Sequence, residues 1–330
     1  MTQHYGLLFP GQGSQSVDML ADLAAAFPVV QSTFAEASAV LGYDLWQLAQ
    51  EGPAEKQKDT QYTQQLMLAS GVACARVWFD KTDSKPAAVA GHSVGEFAAL
   101  VAVGALSFDS AVTLIRERAA LMSAAVPVGT GGMAAVLGMD DADVVSVCEQ
   151  ASKKVIAAND GKSAESVVEA VNFNAPGQVV ISGHLHAIEV ASLLAKEQGA
   201  RKVMPVPVSV PNHSALMRSA GDALIEHIDA IEWRMPEIPI VQNVHASSPA
   251  STTDLLASLR VHVFSAVRWT QSIKVMTDQF AIEHFVELGP GKVLTGMGKR
   301  IDKSRPVYPV LDTVTLETAI DETTASATLS

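Results

Sequence analysis

Gly91-His92-Ser93-Val94-Gly95 stands between the short apolar run Ala87-Ala88-Val89-Ala90 and Glu96-Phe97-Ala98-Ala99-Leu100, which opens an apolar helical pattern. A buried strand that must become a helix across one pentapeptide has to bend sharply, and only glycine avoids steric clash on both sides of such a bend. The turn lifts Ser93 Oγ out of the sheet and sets it near the positive end of the following helix. It also leaves the Val94 N–H facing a developing oxyanion. A Gly-Ser-Gly turn without chemistry is the plainer reading, but the strand and helix flanks together tell against it.

Around this turn, composition sets the class. The chain has 330 residues, of which 48% are hydrophobic with few aromatics and much Ala and Val, as expected of a sheet buried by small-residue helices. Cys74 and Cys148 lie in apolar helical patterns with no C-x-x-C or Cys/His spacing, so neither a disulfide framework nor a zinc site is expected, and no metal. The N-terminus shows no basic region followed by a long apolar one, and no window reaches bilayer-spanning length. The expectation is a cytoplasmic protein with no membrane association. A formal charge of −12 tells against nucleic acid as a partner.

In chain order, Tyr5 to Phe9 reads as a buried strand followed by the glycine-bearing loop Pro10-Gly11-Gln12-Gly13-Ser14-Gln15, and residues 18–26, 29–41 and 64–80 read as helices. After Ser93 comes an amphipathic helix carrying Arg116 and Arg118. From Val128 the order becomes β-α-β-β-α-β, the split βαβ arrangement of a small inserted domain, with Asn159-Asp160-Gly161-Lys162-Ser163 an exposed polar loop. Past Pro207 the larger pattern returns: a strand around Pro239-Ile240-Val241, helices over 253–262 and 270–279, and a strand from Ile282 to Leu288 that ends in Gly289-Pro290-Gly291. The domain reading is 1–127 with 207–311 as one unit, 128–206 as the insert, and 312–330 as a C-terminal tail whose last few residues are expected to fray.

A serine hydroxyl needs a base to become nucleophilic. Of nine histidines, His213 is the best placed, ending the loop Val208-Ser209-Val210-Pro211-Asn212-His213 just before a helix. His92, adjacent to Ser93 and pointing away from it, is read as packing or as support behind the site. Arg118 is a cation within an Ala/Leu/Met-rich helix; an ordinary salt bridge to Glu117 is one reading, and a carboxylate-bearing substrate is the other. Asn172-Phe173-Asn174-Ala175-Pro176-Gly177-Gln178 reads as a hairpin turn on composition alone.

Taken together, Phe9-Pro10-Gly11-Gln12-Gly13-Ser14-Gln15, Gly91-His92-Ser93-Val94-Gly95-Glu96-Phe97, the Asn172 to Gln178 segment, the Val208 to His213 loop and Glu287-Leu288-Gly289-Pro290-Gly291 resemble the malonyl-CoA:acyl carrier protein transacylase family, in its order, from about residue 3 to about residue 311. The resemblance implies an α/β-hydrolase-like large subdomain, an inserted ferredoxin-like small subdomain and an active site in the gorge between them. It implies Ser93 as nucleophile, His213 as base, and backbone N–H groups of Gln12 and Val94 as oxyanion hole. Arg118 would clamp the free carboxylate of malonate, with Asn174, Gln178 and Asn212 lining the pocket. A backbone carbonyl from the Val261-His262-Val263-Phe264 segment would orient His213, which would leave the His262 side chain without consequence. No cofactor is implied beyond the CoA thioester used as substrate.

The function so implied is ping-pong transfer of malonyl from malonyl-CoA through Ser93 to the phosphopantetheine thiol of acyl carrier protein, feeding fatty acid or related biosynthesis. A thioester or ester hydrolase would use the same pair with water as acceptor, but Arg118 points to a dicarboxylic acyl group. An acyltransferase of a polyketide or malonate-processing system is a further form of the same chemistry. A noncatalytic docking subunit would be expected to have lost Ser93 or His213, and both are present. Because carrier proteins are acidic and this chain is too, docking needs a local basic patch. Lys299, Arg300 and Lys303, beyond Gly289-Pro290-Gly291, are the candidates.

Overall fold

The computed structural model describes residues 4–158, 165–208 and 210–328, so the expected polar loop at Asn159–Ser163 lies outside the described residues. Eight strands, β1 (Tyr5–Phe9), β2 (Ala88–Gly91), β3 (Gly131–Leu137), β4 (Val168–Ala175), β5 (Gln178–His184), β6 (Lys202–Pro205), β7 (His284–Leu288) and β8 (Val307–Val310), form two separate sheets. One has the order β2-β1-β7-β8 and is parallel throughout; the other has the order β4-β5-β3-β6 and is antiparallel. The second is the β-α-β-β-α-β arrangement expected from the sequence.

The parallel sheet is buried on both faces: its strands are apolar apart from His284 and Glu287 in β7, and the two-residue period of a strand sends alternate side chains to opposite sides. Leu7, Phe9 and Val89 face the helix Thr60–Lys81. Leu8, Ala88 and Ala90 face Trp269, Ile273 and Met276 of the helix Trp269–Phe280. The same period divides the small sheet. Val179 and Ile181 pack on the helices Asp141–Ala158 and Leu185–Glu197, while Met133 and Val180 look the other way, into the cleft above Ser93. Two backbone bonds tie the small sheet down: Phe173 N–H donates to Val267 O at 2.9 Å and Val267 N–H to Val171 O at 2.8 Å.

Several local expectations are corrected. The stretch 42–59 holds two helices, Leu45–Glu51 and Ala54–Lys58, which its polar composition hides; the Asp44 side chain caps the first by accepting Gln47 N–H at 2.8 Å. Pro239-Ile240-Val241 makes only a single parallel bridge, Ile240 to Val89. The segment after residue 312 is a helix, Thr313–Thr328, started by Asp312 Oδ1 accepting Thr315 N–H at 2.7 Å. Its Thr- and Ala-rich sequence shows little amphipathic contrast, and burial of Leu316 and Ala319 against the core holds it in place.

Candidate active site

The pentapeptide bends as its glycines require. A Cβ on Gly91 would lie 2.1 Å from Gly95 backbone atoms, and one on Gly95 would lie 2.2 Å from Phe9 O. Ser93 itself sits at φ +51, a left-handed conformation that costs a non-glycine residue about 1–2 kcal/mol and aims its Oγ into the cleft. His213 Nε2 stands 2.7 Å from that oxygen.

His213 is also left-handed, at φ +65, and is held from behind. Its N–H donates to Val263 O at 3.0 Å, and its Nδ1 lies 3.1 Å from His262 O and 3.0 Å from Ser265 O. Carbonyls only accept, so Nδ1 carries the proton and the Nε2 lone pair faces Ser93. His262 O belongs to the segment expected to supply this contact, and Ser265 O adds a second acceptor just beyond it. Burial, reinforced by the nearby Arg118 cation, pushes the His213 pKa down to about 3, so the ring is neutral at neutral pH and its Nε2 lone pair is free to face Ser93 Oγ.

Arg118 is fully buried and does not pair with Glu117, which is taken by Arg116 at 2.8 Å. Its Nη1 donates to Gln64 Oε1, its Nη2 lies 3.4 Å from His262 Nδ1, and its guanidinium stands 5.6 Å over the Phe97 ring. Its Nε is buried without a partner, and among the described residues no carboxylate comes within ion-pair distance of it. Burial lowers its pKa to about 9, with Glu96 opposing, which leaves it charged at neutral pH. The His262 side chain therefore has a place in the site after all: it lies between Arg118 and Glu96, with Nε2 3.7 Å from Glu96 Oε2.

These groups converge on one cavity of about 140 Å³, roughly five water volumes, lined by Gln12, Ser93, Val94, Arg118, Asn174 and Asn212 together with apolar walls from the antiparallel sheet (Met133, Val180) and from helices (Met122, Leu294, Met297). That volume suits a short acyl group. A serine activated by a neutral histidine at one part of a small pocket, with an unneutralised guanidinium at another, is equipped for acyl transfer from an acid-bearing acyl donor.

The acyl transferase domain family matches residues 7–316. The chain is also 47% identical over 301 residues to the malonyl CoA-acyl carrier protein transacylase of Escherichia coli K12, a match spanning 91% of this chain and 93% of that one. The chain belongs to the malonyl CoA-acyl carrier protein transacylase family. Among solved structures of transacylases, the acyl carrier protein S-malonyltransferase of Vibrio cholerae is similar at 44% identity and a TM-score of 0.90, covering 96% of this chain and 99% of that one. A malonyl-transacylase solved in complex with its type II polyketide synthase acyl-carrier protein is similar at 43% identity and a TM-score of 0.91, covering 97% and 99%.

For this transacylase-family chain, most site residues expected from sequence meet in the cavity, and two expectations do not hold. Gln178 does not line the cavity; its Oε1 accepts from Arg300 Nη1 at 2.9 Å. Arg300 is therefore no free docking cation. Its Nη2 also donates to Pro176 O at 3.2 Å and Gly177 O at 3.4 Å, fastening the helix Val293–Ile301 to the β4–β5 turn. Lys299 and Lys303 are exposed, the first in the last turn of the helix and the second beyond its end at Ile301.

Of the two readings of His92, the supporting one fits its place: it lines the cavity and donates from Nε2 to Asn174 Oδ1 at 2.8 Å. Sequence reasoning missed Gln64, Glu96 as a partner of the site, and Asn243. Gln64 sits four helical residues after Thr60 with no local signal. Glu96 and Asn243 are polar residues in otherwise apolar surroundings, a mismatch that could have drawn notice.

Proposed function

We propose that the protein transfers a malonyl group from malonyl-CoA to the phosphopantetheine thiol of acyl carrier protein, by a ping-pong route through malonyl-Ser93. The observation that carries this is Arg118: a buried guanidinium with an unpartnered Nε and, among the described residues, no carboxylate in ion-pair reach, on the wall of the same small cavity as Ser93 and His213. A malonyl carboxylate supplies the missing anion, and guanidinium geometry accepts it in a bidentate fork. The relatives' names agree with this substrate and carrier.

In this reading, His213 Nε2 takes the Ser93 proton as Oγ attacks the thioester carbon. Backbone N–H groups of Val94 and Gln12 receive the oxyanion, and the imidazolium, steadied by the two carbonyls at Nδ1, returns its proton to the departing CoA sulfur. The carrier thiol then runs the sequence in reverse. Asn174 holds His92 and Asn212 borders the acyl pocket. No further cofactor takes part, and the reaction is placed in the cytoplasm, where buried unbridged Cys74 and Cys148 suit reducing conditions. The test is intact-mass measurement of the protein after malonyl-, methylmalonyl- or acetyl-CoA, followed by thiol transfer measured against hydrolysis. A malonyl adduct at Ser93 that moves to carrier protein faster than to water is expected; hydrolysis outrunning transfer would overturn the reading.

The state of His213 gives a pH prediction. The base is its neutral form, and lowering its pKa keeps that form present further into acid. kcat/KM for Ser93 acylation should therefore stay level from about pH 8 to about pH 5. Glu96, whose carboxyl burial raises to about 7, titrates inside that window, so Glu96→Gln is the control. An acid limb centred near 6.5 that persists in Glu96→Gln would show an ordinary, solvated histidine instead.

For the carrier, Lys299 and Lys303 remain the proposed docking cations once Arg300 is assigned to the β4–β5 turn. Lys299→Glu with Lys303→Glu should slow transfer to carrier several-fold at low salt and leave acylation by malonyl-CoA unchanged, and the defect should shrink as salt screens the patch. Wild-type transfer at low salt would send the search to another basic surface.

A further inference from the structure

The strained turn at Ser93 is held by a side chain from a distant segment. Ser93 N–H donates to Asn243 Oδ1 at 2.7 Å, and Asn243 Nδ2 donates to Gly91 O at 2.6 Å, so one amide grips the turn on both sides of His92. Its position follows from the sheet edge. Val89 N–H donates to Pro239 O at 2.8 Å and Val241 N–H to Val89 O at 2.9 Å, the start of a parallel ladder beside β2. A regular parallel ladder would continue with Gly91 N–H to Val241 O and then Asn243 N–H to Gly91 O. Here the backbone N–H of Asn243 turns instead to Glu96 Oε2 at 2.8 Å, and the Asn243 side chain makes the rung in its place, extending the pairing past the strand's end onto the nucleophile itself. Arg268 N–H donates to Asn243 O at 3.1 Å, and Asn243 is fully buried, so it has no freedom to move off the turn.

We propose that Asn243 is the positioning residue of the nucleophile: its amide replaces a strand partner for Gly91 and Ser93, fixes the left-handed backbone of Ser93, and so sets the reach of Oγ to His213 Nε2. Glu96 in turn fixes Asn243 through its backbone. The inference rests on the reading of Ser93 as nucleophile. It does not depend on which acyl group the site takes, because Asn243 acts on the turn and not on the pocket wall, where it does not appear.

The test compares Asn243→Ala with Asn243→Leu in the full chain. Leu nearly matches Asn in shape and fills the space without either hydrogen bond, whereas Ala leaves both a gap and the lost bonds. Three rates are measured: single-turnover acylation by saturating malonyl-CoA, the same with acetyl-CoA, and labelling of Ser93 by a fluorophosphonate probe, which reports the nucleophile whatever its natural donor. Both variants are expected to lose on the order of ten- to a hundredfold in all three rate constants. KM for malonyl-CoA should stay within about twofold and the malonyl-to-acetyl ratio should be unchanged. Recovery of the wild-type rate constant in Asn243→Leu would show a packing role and overturn the proposal. So would variants of lower melting temperature whose surviving active fraction reacts at the wild-type rate. If Asn243→Ala does not fold, Asn243→Leu alone decides. Fluorophosphonate labelling at position 93 without any malonyl adduct in the wild type would count against the malonyl reading and leave this one standing.

Discussion

Ser93→Ala is expected to lower Ser93-dependent acyl transfer by on the order of 10⁴-fold or more, the scale on which removal of a serine nucleophile acts when the base and oxyanion hole stay in place. The substitution removes only the hydroxyl. The left-handed turn is held by the Ser93 N–H bond to Asn243 Oδ1 and by the close packing of Gly91 against Gly95, neither of which uses Oγ. Circular dichroism and the melting temperature should therefore match wild type, and His213 should lose its Nε2 partner without losing its two carbonyl acceptors. Intact-mass analysis after malonyl-CoA should show no adduct. A malonyl adduct at wild-type stoichiometry on the variant would place the nucleophile elsewhere.

Arg118→Ala is expected to reduce malonyl transfer by on the order of ten- to a hundredfold while changing acetyl transfer far less. The estimate follows from the size of a charge-assisted hydrogen bond, about 1.5–3 kcal/mol, acting on the one carboxylate that distinguishes the two acyl groups. The structure sharpens this expectation, because the guanidinium is anchored by Gln64 and His262 and not by an acid, and its Nε is buried without a partner. An arginine already paired to a protein carboxylate would have little left for a ligand. Arg118→Lys should recover little of the loss, since an ammonium keeps the charge but not the planar fork. Equal losses for malonyl and acetyl donors would show that Arg118 supports the pocket's shape and does not read the substrate.

Three strands of the parallel sheet were legible, two of them because a strand buried on both faces needs an unbroken apolar run, which Tyr5 to Phe9 and Ala87 to Ala90 supply; Ile282 to Leu288 carries His284 and Glu287 within its strand, and the short edge strand Val307–Val310 was not read. The antiparallel sheet was legible through alternation of strand and helix periods. What escaped notice were elements with weak patterns: the two short helices at 45–51 and 54–58 and the helix Thr313–Thr328, whose Thr and Ala residues form a helix once Leu316 and Ala319 have a core to enter. Arg300 and Gln178 were misassigned for a related reason. Each has a side chain that sequence can place on an element but not against a partner 122 residues away.

By itself the sequence determined the bend at Ser93 and its chemical potential, since glycines at 91 and 95 between a strand and a helix leave the chain one way to turn. It also marked His213 by its place at the end of a loop just before a helix, and Arg118 as a cation in an Ala/Leu/Met-rich helix. Only the tertiary structure decided what those groups can do. It brought His213 Nε2 to 2.7 Å from Ser93 Oγ across 120 residues, and turned its Nδ1 to the carbonyls of His262 and Ser265. It also left Arg118 without a protein carboxylate and put Asn243 across the turn. Local steric rules act between neighbours in the chain and are written in consecutive residues. Hydrogen-bond geometry and burial depend on which distant segments share a space, and that is settled when the core packs.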